Sequence, residues 1–598
     1  MVNSRLVNAA RLACLLSALF QLSLVSALAR DITTPLVSIC VIQGNGEVSP
    51  RQGDYLRVQG VVFADLDDTS KKGFFMQTEA CDGDSATSDG IFVYLGVKGN
   101  AVAVGDKVEV TGWVEEYNGQ TEIDAAPQDV EILSSGNALP LPSDMNPPFE
   151  NTAAQSYLES LEGMYVKLDE ALVVGPTNDR GESWVMRADL GLARVYQDDP
   201  NGTGEVFCVD DGGLFEIAGD AKVGDHVQGL LGFWEYTYDL YRLNLLAQPA
   251  LISATTTFTP PASSPGFSIV TFNVENLFDT FDDPNTEDPV LNATEYQRHL
   301  NKLALAISDA LNLPTLIALQ EIENQMVLDD LLARPELLAD YGAVWLDGPD
   351  RRGIDVALLY REDRANILDF EQRQGCTTLV DGLGPDGNND VNNPQNTLTC
   401  DRDGDGTLDG NRLFSRPPLI ISLEVCVLNE REACRQWVNL WLVLNHWKSK
   451  SEDTFEVKYT LPRRLEEAQF IADLTLELES NHPTENLMVL GDLNDYPNSQ
   501  PLAILSAVGL TSLMPRLPSA ERFTYIYQGI SQALDHILVN APLREWLVFP
   551  FAAHFNADYP DAFFGQSGTF YRSSDHDPLL ARFVPADSKA YLPFINRR

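Results

Sequence analysis

Two histidines, several carboxylates and two asparagines recur in short motifs along the C-terminal half of this chain. The motifs read Thr-Phe-Asn-Val-Glu-Asn (271–276), Gln-Glu-Ile-Glu-Asn (320–324), Asn-His-Trp-Lys-Ser-Lys (445–450), Gly-Asp-Leu-Asn-Asp (491–495), Leu-Asp-His-Ile-Leu-Val-Asn (534–540) and Ser-Ser-Asp-His-Asp-Pro (573–578). Nearly every one follows or opens an apolar run of strand length. An Asn amide both donates and accepts hydrogen bonds, so Asn273 can hold a phosphate oxygen or a metal-bound water. A carboxylate at the end of a buried strand needs a partner or a cation. Glu321, after Leu-Ile-Ala-Leu-Gln, is the best single ligand, because Mg²⁺ takes one or two carboxylates and keeps room for waters and phosphate. The inventory suits metal-assisted cleavage of a phosphate ester.

Buried strands must bring these residues together. The apolar runs Phe267–Phe272, Leu316–Leu319, Val356–Tyr360, Leu440–Leu444 and Leu487–Leu490 read as such strands, and Glu295–Leu311 and Arg463–Leu478 have helical periodicity. Asp492 and Asn494, two apart, point the same way while strand geometry lasts, with Asp495 opposite and structural. Gly491 allows close backbone approach. Asp575 and His576 precede Pro578, which imposes an extended or turn backbone. His446 ends its run beside Lys448 and Lys450.

With 598 residues, several domains are expected. Arg5, Arg11, the apolar Leu12–Leu28 and Ala27-Leu28-Ala29 predict a secretory signal peptide over 1–29, cleaved after Ala29, and hence a secreted, extracellular or periplasmic protein. No later segment has the roughly 20 apolar residues of a membrane span, so no membrane partner is expected. The formal net charge of −46 counts against generic nucleic-acid binding, although an enzyme that turns over need not bind tightly. Neighbour pairing of the cysteines suggests Cys376–Cys400, Cys426–Cys434 and Cys40–Cys81, with Cys208 left over.

Residues 30–138 and 139–255 read as two β-rich units. Val-Gly-Asp-Lys-Val-Glu-Val-Thr-Gly-Trp-Val-Glu-Glu-Tyr (104–117) is echoed by Val-Gly-Asp-His-Val-Gln-Gly-Leu-Leu-Gly-Phe-Trp-Glu-Tyr (223–236). That is a domain-sized period, and two similar small barrels are its natural reading. A linker over 256–266 leads to a mixed α and β region, 267–585, with a tail at 586–598. Within it, Asp-Arg-Asp-Gly-Asp-Gly-Thr-Leu-Asp (401–409) places Asp401, Asp403, Asp405 and Asp409 as in a Ca²⁺ loop, with Arg412 where an EF-hand has Glu. Arg351, Arg352, Arg412 and Arg416 are candidate phosphate contacts.

The ordered set, strongest in Gly-Asp-Leu-Asn, Leu-Asp-His-Ile and Ser-Asp-His-Asp-Pro, resembles the endonuclease/exonuclease/phosphatase family over about 267–584. That family includes deoxyribonuclease-I-like enzymes, sphingomyelinases and inositol-phosphate phosphatases. Residues 40–46, 73–77 and 88–94 resemble the OB-like modules that precede extracellular bacterial nuclease domains. Such barrels stack bases on aromatics, for which Phe74, Phe75, Phe92, Tyr94, Trp113 and Tyr117 are candidates. The resemblance implies an α+β fold: a four-layer α/β sandwich, two packed sheets flanked by helices, behind one or two OB-like barrels. It implies a monomeric secreted nuclease that hydrolyses DNA, or also RNA, with Mg²⁺ or Mn²⁺, to which the 401–409 loop adds Ca²⁺ as an expectation of its own. The alternative is a phosphodiesterase of the same scaffold acting on a phospholipid or small phosphate ester. Carried over by motif, Glu321, Asn273 and Asp575 serve the metal, and Asp492 orients the attacking water. Asn494 contacts the phosphate, His446 contacts it or protonates the leaving oxygen, Asp535 orients His576, and Asp355 is a partner for His446.

Overall fold

The computed structural model describes residues 34–585, apart from 80, 211, 218, 256–257, 262–265, 378, 380–397, 431–432 and 455–456. The proposed signal segment, the acidic stretch 381–390 and the tail 586–598 lie outside the described residues. The fold is mixed α and β and mostly sheet.

Alternation along each strand decides what the C-terminal half becomes. Strand β11 (Phe267–Leu277) sends Phe267 and Ile269 to one apolar cluster and Val270 and Phe272 to another. Strands with two apolar faces must be covered on both. The first cluster lies between two six-stranded sheets. One has the order β13 (Tyr341–Trp345), β14 (Asp355–Arg361), β12 (Leu316–Ile322), β11, β22 (Leu579–Phe583), β21 (Leu547–Ala552). The other runs β15 (Ala365–Gln372), β16 (Leu419–Glu430), β17 (Ala433–His446), β18 (Asn486–Asp492), β20 (Asp535–Val539), β19 (Thr511–Ser512).

The outer face of the first sheet is covered by α1 (Ala293–Leu305) and α2 (Gln325–Leu332), through Leu300, Leu303, Val327 and Leu331. Helices α3 (Leu461–Asn481) and α4 (Gln500–Ala507) cover the second through Ile471, Leu478, Leu502 and Leu505. The result is four layers, helix, sheet, sheet, helix.

Two closed five-stranded barrels precede the sandwich. The first joins β1 (Tyr55–Leu66), β2 (Gly73–Gln77), β3 (Gly90–Tyr94), β5 (Gln120–Asp124) and β4 (Lys107–Tyr117), with β1 pairing back to β4. The second repeats that order with β6 (Tyr165–Gly175), β7 (Ser183–Arg187), β8 (Phe207–Asp210), β10 (Leu240–Leu245) and β9 (His226–Thr237). In each, strands three and five are parallel. The repeated sequence is the fourth strand of each barrel.

Three of the six aromatic candidates are not available to a ligand. Phe74 lies in the first barrel's core, and Phe75 and Phe92 pack against Phe233 of the second. Trp113 and Tyr117 are exposed. Cys40–Cys81, Cys376–Cys400 and Cys426–Cys434 are bonded, and Cys208 is free and buried.

Candidate active site

The alternation that fills the inter-sheet core also aims the site. Counting in twos from Ile269, Leu442, Met488 and Ile537, all in that core, leads to Asn273, His446, Asp492 and Asp535 on the same inward face. Strands β11 and β12 run parallel, as do β17 and β18, so Asn273 pairs with Gln320 and His446 with Asp492 at one edge of the sandwich. Antiparallel β20 opposes Asp535 to Asp492. Gly491 lets the strands close there: at φ 139°, a Cβ on it would lie 1.9 Å from the Asn445 carbonyl oxygen.

Glu321 breaks the alternation. Gln320 takes the inward place, and Glu321 has a left-handed backbone (φ 69°) at a register shift between Gln320 and Ile322. Such a bulge re-aims a side chain. Glu275 (φ 56°) and Asn276 (φ 53°) form a matching irregularity in β11, through which the Asn276 N–H donates to Glu321 Oε2 at 2.8 Å. Non-glycine residues in this region are strained and concentrate at functional sites.

The assembled cluster is tight. Asn273 Nδ2 donates to Glu321 Oε1 at 3.2 Å and to Asp492 Oδ2 at 3.1 Å. His446 Nε2 lies 3.8 Å from Glu321 Oε1 and 3.7 Å from Asp492 Oδ2. His576 Nε2 lies 4.0 Å from the same Asp492 oxygen, while His576 Nδ1 and Asp535 Oδ2 are hydrogen-bonded at 2.7 Å. Asn494, itself left-handed at φ 49°, donates through its backbone to Asp492 Oδ1 and through Nδ2 to the Trp447 carbonyl. Ser574 Oγ bonds the Asn273 carbonyl and receives the His576 N–H, which fixes the 573–578 loop against β11. Asp575 lines the same cleft.

The two imidazoles are pushed in opposite directions. Burial, then Arg416, Arg352 and His576, holds His446 well below its usual value, which favours the neutral ring. Burial also opposes charging of His576, but Asp535, by its charge and then its hydrogen bond, and Asp575 and Asp492 hold it well above its usual value, which favours the imidazolium. Burial and then the Asp535 charge raise Asp492.

Several expectations need correction. Asn273 Oδ1 accepts the Glu275 N–H, so its amide turns N–H groups toward the carboxylates and is a donor, not an oxygen ligand. Arg416 is buried and committed to Asp350 and to the His446 and Trp447 carbonyls, so it braces β17. Asp355 Oδ2 accepts the Gly348 N–H at 2.8 Å, and no hydrogen bond joins it to His446. Arg352 stays at the rim, 3.3 Å from Asn276 Oδ1.

Tyr525, which the motifs did not single out, stacks on His576 with centroids 4.7 Å apart. The Arg572–Glu275 pair at 2.8 Å was equally hidden, since its members lie 297 residues apart.

The donor set fits a hard divalent cation. Glu321 and Asp492 offer carboxylate oxygens, and their mutual proximity with Asp535 leaves buried negative charge that a cation would neutralise. Away from this site, Asp401, Asp403 and Asp405 bring carboxylate oxygens within 4.8 Å of one another, and Asp409 Oδ1 accepts the Arg402 N–H.

His299 supports the site from behind. It is fully buried, its Nε2 bonds the Val274 carbonyl at 2.9 Å, and burial pushes it down to about 4. A histidine depressed in the folded state stabilises it above its unfolded value near 6.5, and that contribution is lost as pH falls through 4. The interval corresponds to about 3 kcal/mol. Urea unfolding of wild type and His299→Gln at pH 7 and pH 4.5 should therefore show a smaller acid loss in the variant.

Residues 268–379 match the Endonuclease/Exonuclease/phosphatase family, so the chain carries a domain of that family. Residues 139–256 match a domain of unknown function (DUF8508), which spans the second barrel. No curated protein matches the chain. Similar solved structures include an endonuclease/exonuclease/phosphatase from Bacteroides vulgatus, 13% identical with TM-score 0.32, over 53% of this chain and 98% of that one. Truncated Caenorhabditis elegans TDP2 is 14% identical with TM-score 0.32, over 53% and 97%. The human Nocturnin catalytic domain with bound sulfate is 14% identical with TM-score 0.31, over 55% and 96%.

Proposed function

We propose that the protein is a divalent-metal-dependent nuclease that hydrolyses phosphodiester bonds of DNA or RNA outside the cytoplasm. The observation that carries the reading is the convergence of His446 and His576 on one carboxylate, both with Nε2 within 4.0 Å of Asp492 Oδ2, in surroundings that hold the first below and the second above its usual range. Two titratable groups driven to opposite states across one carboxylate form an acid and a hydrogen-bonding partner for a phosphodiester.

In this reading Asp492 orients the attacking water and takes its proton. His446 and the Asn494 amide hold phosphoryl oxygens, with Arg352 at the rim, while Asn273 holds Glu321 and Asp492 in place. His576, held by Asp535, has a proton to give to the leaving oxygen. A divalent cation held by Glu321, with support from Asp575, would neutralise charge on the phosphoryl group. Mg²⁺ and Mn²⁺ suit these oxygen donors, and the Asp401–Asp409 loop is read as a separate Ca²⁺ site. Export by the segment 1–29 belongs to the proposal. The three cystine pairs support it, because such bonds persist in oxidising compartments.

The test incubates the protein with closed circular DNA, linear DNA, RNA and sphingomyelin, in EDTA and with Mg²⁺, Mn²⁺ or Ca²⁺ restored. Cleavage of nucleic acid with Mg²⁺ or Mn²⁺ is expected. A Ca²⁺-dependent rise in melting temperature is expected from the loop. Hydrolysis of sphingomyelin alone would overturn the reading in favour of the phospholipid alternative.

A further inference from the structure

We propose that the hairpin 525–532 and the second barrel together form a base-stacking subsite for an unpaired stretch of nucleic acid, an inference that rests on the nuclease reading. The cluster at Asp492 opens into a cleft of about 1410 Å³ whose walls come from both the sandwich and the second barrel.

Charge is divided along this cleft. Nine Lys or Arg and eight Asp or Glu line it, close to neutrality in a chain of net charge −46. All nine cations come from the sandwich. The second barrel contributes uncharged residues only, among them Asn151, Thr152, Gln155, Trp184, Gln197 and Tyr241. A wall without cations has little to offer phosphates, but neutral amides, hydroxyls and aromatic rings suit bases and sugars.

The hairpin joins the two walls. Its strand Tyr525–Tyr527 puts Tyr525 against His576 and, two residues on and on the same face, Tyr527 in the cleft, 54% exposed. Gly529 at its turn sits on Trp184 of the barrel, where an added Cβ would lie 2.7 Å from the Trp184 Cβ. The barrel then extends the hairpin by a strand: Val195 and Tyr196 pair in parallel with Ile530 and Ser531. Arg194 locks this joint, bonding Asp558 at 2.7 Å and lying 3.9 Å over the Phe523 ring. Rings therefore lead from the phosphate-cleaving cluster to the barrel: Tyr525, Tyr527, Trp184. Aromatic platforms of this kind accept bases that are not stacked within a duplex. The sequence around the scissile bond would be read weakly, because every base has a face to stack.

The experiment compares kcat/KM of the full protein on a single-stranded oligonucleotide of about 12 nucleotides, on the same sequence as a duplex, and on bis(p-nitrophenyl) phosphate. The wild type should prefer the single strand to the duplex. Tyr527→Ala should lower the ratio of single-strand to bis(p-nitrophenyl) phosphate kcat/KM about tenfold, chiefly through KM, and Tyr527→Phe should restore it. Tyr527 is exposed enough that its truncation removes little packing. A ratio unmoved by Tyr527→Ala, or a preference for duplex, would overturn the inference and leave the nuclease reading intact. Hydrolysis of bis(p-nitrophenyl) phosphate with no cleavage of either nucleic acid would overturn both.

Discussion

Replacing His576 by alanine should lower kcat on a nucleic-acid substrate by about 10³-fold, within the range removed with a positioned general acid. The imidazole's Nδ1 is committed to Asp535, so Nε2 is the nitrogen left to act on a substrate in the cleft that His576 lines. Because His576→Ala leaves the buried Asp535 carboxylate unpaired, its melting temperature should fall as well; His576→Gln, whose amide keeps a donor for Asp535, should lose activity with a smaller fall and so separates loss of chemistry from loss of fold. Asp535→Asn gives a sharper version. Asn keeps the size but removes the charge that holds His576 above its usual value. The imidazolium then survives only to lower pH, so the alkaline limb of the kcat/KM profile should move down. A variant of either residue with full activity and an unmoved profile would remove His576 from the mechanism.

Glu321→Ala should cost at least about 10³-fold at a metal concentration that saturates the wild type, and EDTA should abolish wild-type cleavage. Glu321 holds its place by a left-handed bulge and by hydrogen bonds from Asn276 N–H and Asn273 Nδ2. That strain has no use in a merely structural carboxylate, since an alternating strand would have buried a neutral residue there at no such cost. The discriminating measurement is the Mg²⁺ or Mn²⁺ titration of activity and of melting temperature. Both should shift to higher concentration in Glu321→Gln, and a titration identical to wild type would exclude Glu321 as a ligand.

Much of the sandwich was legible because its strands are buried on both faces. Runs such as Leu487–Leu490 have few competing readings once they end in a carboxylate. The inward aim of Asn273, His446, Asp492 and Asp535 follows from alternation. Glu321 was found by residue type, but its bulge could not be read, because a left-handed glutamate leaves no mark in sequence. The state of Asn273 depends on which amide end faces the Glu275 N–H, and the burial of Arg416 depends on Asp350, 66 residues away. The barrels were visible through their repeated fourth strand. Their joint with the hairpin was not, because Val195 and Ile530 meet over a separation that no local pattern encodes.

The step of two that aims the site also constrains how such a chain can change. A single residue inserted into β17 or β18 upstream of His446 or Asp492 would send that side chain into the helix-covered outer layer and deliver Asn445 or Gly491 to its place in the site. Two inserted residues would keep the facing but push the side chain beyond the edge. Length variation is therefore confined to the connections between strands. The long connection between β15 and β16, with its Cys376–Cys400 tie and acidic loop, is of just this kind and leaves the strand alternation at the edge of the candidate site untouched.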